Sequence, residues 1–252
     1  MKKGLILFLF LISSILIADW HDFGKENDSM FNVAVANEYE TELEFNLDGF
    51  NLEKIEDNKE IYWAISYPGE GEFMQVGMPG LPRFSRLIAI PANADVELEI
   101  LGKSEEIFES IKVFPQQQLQ SESKKETHEF VINSSFYDGN ETFPNNIAEL
   151  GEPAILRDLR VITLTINPFS YDAGTNELNV IHNLKLKVTT KGNSNKNVKL
   201  SQRPISRFFE PLYESAVLNY SSVDRSEYQQ PSYLFIYPDN AAVENSLQML
   251  LD

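Results

Sequence analysis

The sequence predicts a mainly β fold: one large all-β domain followed by the β–α start of an α/β domain. Three observations carry this. The stretch from Leu156 to Thr190 alternates apolar and polar residues with the period of a half-buried strand. Short alternating runs recur upstream of it, separated by glycine- and proline-rich turns. Near the C-terminus, Tyr233 to Tyr237 is continuously apolar and is followed by a helical stripe, a change of pattern that marks a domain boundary.

In the first stretch, Ile162, Leu164 and Ile166 alternate with Thr163, Thr165 and Asn167. Asn167-Pro168 interrupts the ladder, because proline has no N–H to donate. After the turn cluster Asp172 to Asn176, a second strand places Leu178, Val180, Leu184, Leu186 and Val188 on one face. Glu177, Asn179, Asn183, Lys185 and Lys187 fall on the other. The two strands read as a long hairpin at the centre of the sheet.

At the N-terminus, Lys2 and Lys3 precede an apolar run that ends at Ala18, the pattern of a secretory signal peptide over residues 1–18. The alternative is an uncleaved anchor, but roughly 14 apolar or small residues fall short of the about 20 a span needs. Asp19 to Glu40 reads as polar and irregular. Thr41 to Asp48 alternates with Leu43, Phe45 and Leu47 inward, and Gly49 ends it. Ile61 to Tyr67 is another strand, with Trp63 and Tyr67 as core or sheet-face aromatics. Gly77-Met-Pro-Gly-Leu-Pro82 forbids regular structure and leads tightly into the strand Phe84 to Ile90. Val96 to Leu101 follows. Ile107 to Phe114 suits a strand, although its glutamates and Ser104 also suit a helix start. Pro115 to Thr127 is a polar loop without apolar period, Glu129 to Asn133 a short strand, and Tyr137 to Pro144 a turn-rich segment.

Composition excludes several functions. The net charge of −17 opposes binding to a nucleic-acid backbone. With no cysteine, the chain has no disulfide, thiolate metal site or cysteine nucleophile of its own. His21, His128 and His182 share no ligand spacing, and His182 falls on an apolar strand face, where a hydrogen-bonded core histidine is expected. Asp138, Asn140 and Glu141 lack the full spacing of a calcium loop and read as a solvated turn. No metal, cofactor or catalytic residue is expected.

One ordered set of motifs has a counterpart. Gly77-Met-Pro-Gly-Leu-Pro82 leads into a strand ending at Ile90-Pro91. Leu156-Arg-Asp-Leu-Arg-Val161, Ile166-Asn-Pro168, Tyr171 and Asn176-Glu-Leu178 follow in order. This set resembles the N-terminal propeptide of the gingipain family of secreted cysteine peptidases, over about residues 30–192. The resemblance implies an antiparallel β-sandwich that escorts the enzyme through secretion and blocks its active site until cleaved. Its partner would be the catalytic domain of a gingipain-like peptidase, and its location secreted or at the cell surface, free of the membrane once the signal is removed.

The resemblance also orders the rest of the chain: residues 1–18 a signal peptide, 19–200 the propeptide domain, 201–231 a linker with the processing site, and 232–252 the start of a catalytic domain cut short. Arg203-Pro204 to Tyr220 is rich in aromatics suited to packing along a surface, and Ser221 to Gln230 has linker composition. Arg225 is the processing candidate, because gingipain-like precursors are cut after basic residues at that place; Arg203 and Arg207 are alternatives. In the loop Pro115 to Thr127, Lys124 and Lys125 are candidates for a basic-specific pocket, set against ordinary solvation. The competing reading is a stand-alone secreted β-sandwich that binds a protein or a cell-surface polymer.

Overall fold

The computed structural model describes residues 19–24, 29–57, 59–119, 129–201 and 203–230, with isolated positions beyond. The expected signal segment lies outside the described residues, as does most of the expected C-terminal strand and helix. The strands are β1 (Asp19–Asp22), β2 (Phe31–Ala36), β3 (Glu40–Asn46), β4 (Gly49–Asp57), β5 (Glu60–Ser66), β6 (Gly71–Glu72), β7 (Pro82–Ala89) and β8 (Ala94–Phe108). After the short helix α1 (Ser134–Tyr137) come β9 (Thr142–Phe143), β10 (Ala148–Leu150), β11 (Ala154–Leu156), β12 (Leu159–Ile166), β13 (Phe169–Asp172) and β14 (Glu177–Asn193), then α2 (Glu210–Ala216).

Two antiparallel sheets face each other across one apolar core. The first runs β10-β12-β7-β6, with β11 also on β12; the second runs β2-β3-β14-β13-β9, with β8 on the other edge of β14. Phe45 of β3 meets Phe84 of β7 edge-on at 5.2 Å, and both are fully buried. A third small sheet, β1-β4-β5, closes one end, where Phe50 packs edge-on against Phe108 and Phe169.

The expected long hairpin does not form. Strand β12 pairs with β7, while β14 pairs with β3, β8 and β13 in the opposite sheet. The chain crosses between sheets at Asn167-Pro168. Asn167 makes the last bond in register with β10, its N–H donating to the Ile147 carbonyl at 2.7 Å and its side-chain amide to the Asn146 carbonyl at 3.0 Å, and the next carbonyl, of Pro168, already accepts from Ile181 of β14 at 2.8 Å. Alternation tells which residues face the core; it does not tell which strand lies alongside. The hairpin that exists is β13 with the first residues of β14, turned by Ala173 to Asn176.

Other expectations also change. The described residues between Asp19 and Glu40 are not all irregular, because β1 and β2 form by pairing with β4 and β3. Gly49 does not only end a strand; it begins β4, and a Cβ there would sit 2.3 Å from the His21 carbonyl oxygen and 2.6 Å from the Trp20 ring. Val96 to Phe108 is one strand rather than two, kept in step with β14 by register shifts. Past it, Ile111 and Val113 are buried, and Val113 bridges Trp63. Glu129 to Asn133 is not a strand; side-chain amides hold it, as described below.

The motif Arg157-Asp158-Leu159-Arg160 pins the tail of the chain. Arg160 is 2 % exposed. Its guanidinium donates to four backbone carbonyls: Pro91 at 2.9 Å, Ala94 at 2.6 Å, Lys196 at 2.9 Å and Asn197 at 2.9 Å. The fork gathers the β7–β8 turn and the chain after β14 onto one point. Residues 203–220 then lie along the outer side of the β7–β12 sheet. Tyr213 and Val217 are buried, and Val217 bridges Leu87. The Asn219 side chain accepts from the Ala89 N–H at 2.7 Å and donates to its carbonyl at 2.9 Å, occupying the place of a strand neighbour.

Candidate functional site

Two regions concentrate the residues singled out by sequence: the base of the polar loop and the tail. The loop base rests on Gly77 to Leu81. Gly80 N–H donates to the Phe114 carbonyl at 3.0 Å, Gln116 N–H to the Met78 carbonyl at 2.7 Å and Gly77 N–H to the Gln116 carbonyl at 2.8 Å. The returning stem is held by the same segment, since Asn133 N–H donates to the Gly77 carbonyl at 2.9 Å. Gly77 adopts φ 85°, a left-handed conformation that glycine enters without a Cβ penalty, and a Cβ there would lie 3.1 Å from the Asn133 nitrogen. Met78 and Leu81 turn into the core beneath.

Side chains complete the brace. Gln117 Nε2 donates to the Pro115 and Val131 carbonyls, each at 2.8 Å, and its Oε1 accepts from the Val131 N–H at 2.9 Å. Phe114 and Phe130, one from each stem, have ring centroids 5.8 Å apart, and Tyr62 contacts both at 5.8 and 5.6 Å. Burial, with the Glu60 carboxylate beside it, pushes the Tyr62 hydroxyl up to about 12. Tyr137 donates its hydroxyl to the Val113 carbonyl at 2.9 Å, and burial raises its pKa strongly. Lys124 and Lys125 lie outside the described residues, on the stretch that joins these two stems.

In the tail, Arg203 and Arg207 are exposed. Between them, Ser206 is buried and donates its N–H to Asp158 Oδ2 at 3.1 Å. The same oxygen accepts from the Tyr213 hydroxyl at 2.9 Å and lies 3.5 Å from Arg157 Nε. The Arg157 guanidinium stacks 3.9 Å from the Phe209 ring centroid. Arg225 opens a single 3-10 turn, Arg225–Glu227. Asp224 caps it, accepting from Ser226 Oγ at 2.6 Å and Ser226 N–H at 2.9 Å, bonds that hold its carboxyl below the usual range. Ile205 bridges Tyr228, and Gln229 N–H donates to the Ile205 carbonyl at 3.0 Å. The segment carrying Arg225 therefore returns beside the one carrying Arg203 and Arg207. Sequence reasoning gave no role to Asp158, Arg160 or Tyr213; the signal for the first two was three charged residues, Arg157, Asp158 and Arg160, at the start of an otherwise alternating strand.

His128 lies outside the described residues, and the two described histidines pack among aromatic rings. His21 sits among Phe23, Phe50 and Phe108 at 4.8 to 5.4 Å, and His182 stacks on Phe23 at 5.1 Å. Among the described residues, no group of three or more histidine, cysteine, aspartate or glutamate side chains is placed to hold a metal ion.

The chain belongs to the C25 propeptide family (Propeptide_C25), whose model matches residues 25–228. It is thus a propeptide domain of the kind found in gingipain precursors. It is 28% identical over 178 residues to Lys-gingipain of Porphyromonas gingivalis, a match spanning 68% of this chain and 10% of that protein. It is 20% identical over 220 residues to gingipain R2 of the same organism, spanning 87% of this chain and 30% of the relative. The chain thus spans about a tenth of the length of the Lys-gingipain it matches. Its fold is similar to that in the complex of RgpB pro- and mature domains from Porphyromonas gingivalis, with a TM-score of 0.67 at 20% identity, covering 76% of this chain and 98% of the other. It is also similar to the structure on zymogenic latency of gingipain K from that organism, with a TM-score of 0.60 at 24% identity, covering 70% and 100%. The expected antiparallel β fold is borne out by both.

Proposed function

We propose that this chain escorts a gingipain-like cysteine peptidase through export and keeps it latent, with the loop Pro115 to Thr127 placed in the active-site cleft. The braced loop base carries the reading. Both stems are tied to one glycine–proline segment and to each other, so the chain between them leaves from a rigid platform. A segment presented this way loses less conformational freedom on binding than a free one, which favours tight inhibition. Lys124 and Lys125 are the residues for a basic-specific pocket, and Arg225 is the processing residue.

The proposed division is a signal over residues 1–18, a propeptide domain over 19–200, a tail with the processing site over 201–231, and the first residues of the catalytic domain over 232–252. Export by the signal, to the cell surface or beyond, follows from this reading, and the partner is the catalytic domain. The similar structures, one a complex of pro- and mature domains and one concerned with zymogenic latency, support it by analogy.

The test is inhibition. The chain from Asp19 to Asp252 is titrated against a gingipain-like peptidase, following cleavage of arginyl and lysyl substrates. Saturable inhibition, weakened by replacing Lys124 and Lys125 with alanine, is expected. A folded domain that inhibits no such enzyme overturns the reading in favour of a stand-alone binding module.

A further inference from the structure

The arginines of the tail are unequal as cleavage sites, although Arg203 and Arg207 are both exposed. An endopeptidase cuts a segment that has opened locally, so protection follows the bonds that must break, not the exposure of the arginine itself. Around Arg207 those bonds are buried. Ser206 on one side is 7% exposed and bonded to Asp158; Phe209 on the other lies under the Arg157 guanidinium. Tyr213, fully buried, donates its hydroxyl to the same Asp158 oxygen at 2.9 Å. Opening the Arg207–Phe208 bond strips three contacts from one buried carboxylate and its neighbour. The Arg225–Ser226 bond lies instead in one 3-10 turn, Arg225–Glu227, whose Ser226 and Glu227 are exposed and which the exposed Asp224 caps. Opening it breaks the Asp224 cap and, just beyond, the Ile205–Tyr228 bridge, the Gln229 N–H bond to the Ile205 carbonyl and the Tyr228 hydroxyl bond to Glu210, contacts made by half-buried or exposed groups rather than by a buried carboxylate.

We propose that Asp158 selects which arginine is processed: it locks residues 206–213 onto the domain, so that cleavage falls after Arg225 and spares Arg207. Asp158 is a positioning residue, acting through Ser206 and Tyr213. After the cut, the tail up to Tyr220 stays on the β7–β12 sheet and leaves with the propeptide. This rests on the reading of Arg225 as the processing residue, but the lock itself is a property of the fold.

Limited digestion with trypsin tests it, with cut positions followed over time by intact-mass spectrometry. The chain from Asp19 to Asp252 is compared with Asp158→Ala and Tyr213→Phe forms. In the native chain, cleavage after Arg225 is expected at least about tenfold faster than after Arg207. Both variants are expected to raise the Arg207 rate about tenfold and to leave the Arg225 rate unchanged, the scale of losing one buried hydrogen bond to a charged group. Tyr213→Phe removes only a hydroxyl, so it decides the matter if Asp158→Ala fails to fold. Equal native rates at the two arginines, or an Arg207 rate unmoved in a folded Tyr213→Phe chain, overturn the proposal. Maturation of a full precursor that persists in an Arg225→Ala form overturns the processing reading separately, leaving the trypsin ratio to judge the lock.

Discussion

Gln117 and Val131 exchange two hydrogen bonds across the mouth of the loop, at 2.8 and 2.9 Å, and a side-chain amide thereby stands in for a strand residue. Gln117→Ala removes both and leaves the Val131 N–H and carbonyl to water. The loss is expected to be small in global stability, about 1 kcal/mol, because Val131 is near the surface. Inhibition of a gingipain-like peptidase is expected to weaken about tenfold as the loop loses its fixed stems. A denaturant melt and an inhibition constant, measured on the same preparation, check the contrast.

Arg160→Ala is expected to be far more costly than any surface arginine change. It leaves four backbone carbonyls without their donor at a site 2% exposed. A loss of about 3 kcal/mol or more follows. Arg160→Lys should recover less than half, since an ammonium cannot reach in two directions as the planar fork does. Urea unfolding of the three forms measures this.

Gly49→Ala is expected to detach β1. The new methyl would meet the His21 carbonyl and the Trp20 ring at contact distances no side chain tolerates. The cost is about 1–3 kcal/mol, paired with a change in Trp20 fluorescence as the strand is displaced. Unchanged fluorescence would mean that β4 moves instead.

Stability should fall at alkaline pH. Burial pushes the hydroxyls of Tyr62, Tyr171 and Tyr220 up to about 12, and for Tyr62 and Tyr220 the carboxylates of Glu60 and Glu210 add to it. Unfolded tyrosine ionises near pH 10, so above that pH the folded chain holds more protons than the unfolded one. The stabilisation is complete below about pH 10 and is lost as pH rises toward 12. Lys187 acts in the same direction, its pKa raised by the hydrogen bonds it donates to Glu40 and Glu42. Urea midpoints across this range, with tyrosinate absorbance, check the sign.

The core was legible in the sequence, and its connections were not. Leu43, Phe45, Ile162, Leu164, Leu184 and Leu186 alternate visibly, and each is buried. That β12 and β14 belong to opposite sheets was hidden, because the decisive contacts of Asn167 are with Asn146 and Ile147, which no local pattern announces. Strands β1 and β4 escaped for a similar reason: they exist through each other and through the close approach of His21 and Trp20 that Gly49 permits. Of the loop base, the glycines and prolines of residues 77–82 were plain, but their partners at Phe114 to Gln116 were not. The lock at Asp158 was invisible, since a buried carboxylate and an exposed one are spelled alike.

The pairing of β14 with β3 sets an order of events. Lys187 meets Glu42 from 145 positions away, and the same strand must also receive β8 and β13. A chain emerging from its N-terminus cannot close this sheet until nearly all of the domain is available, so β3 and β8 wait with unpaired edges. Folding dominated by such distant pairings is slow. The topology thus acts as a timer, holding the domain open while the chain is made and closing it in one late step when its central strand arrives.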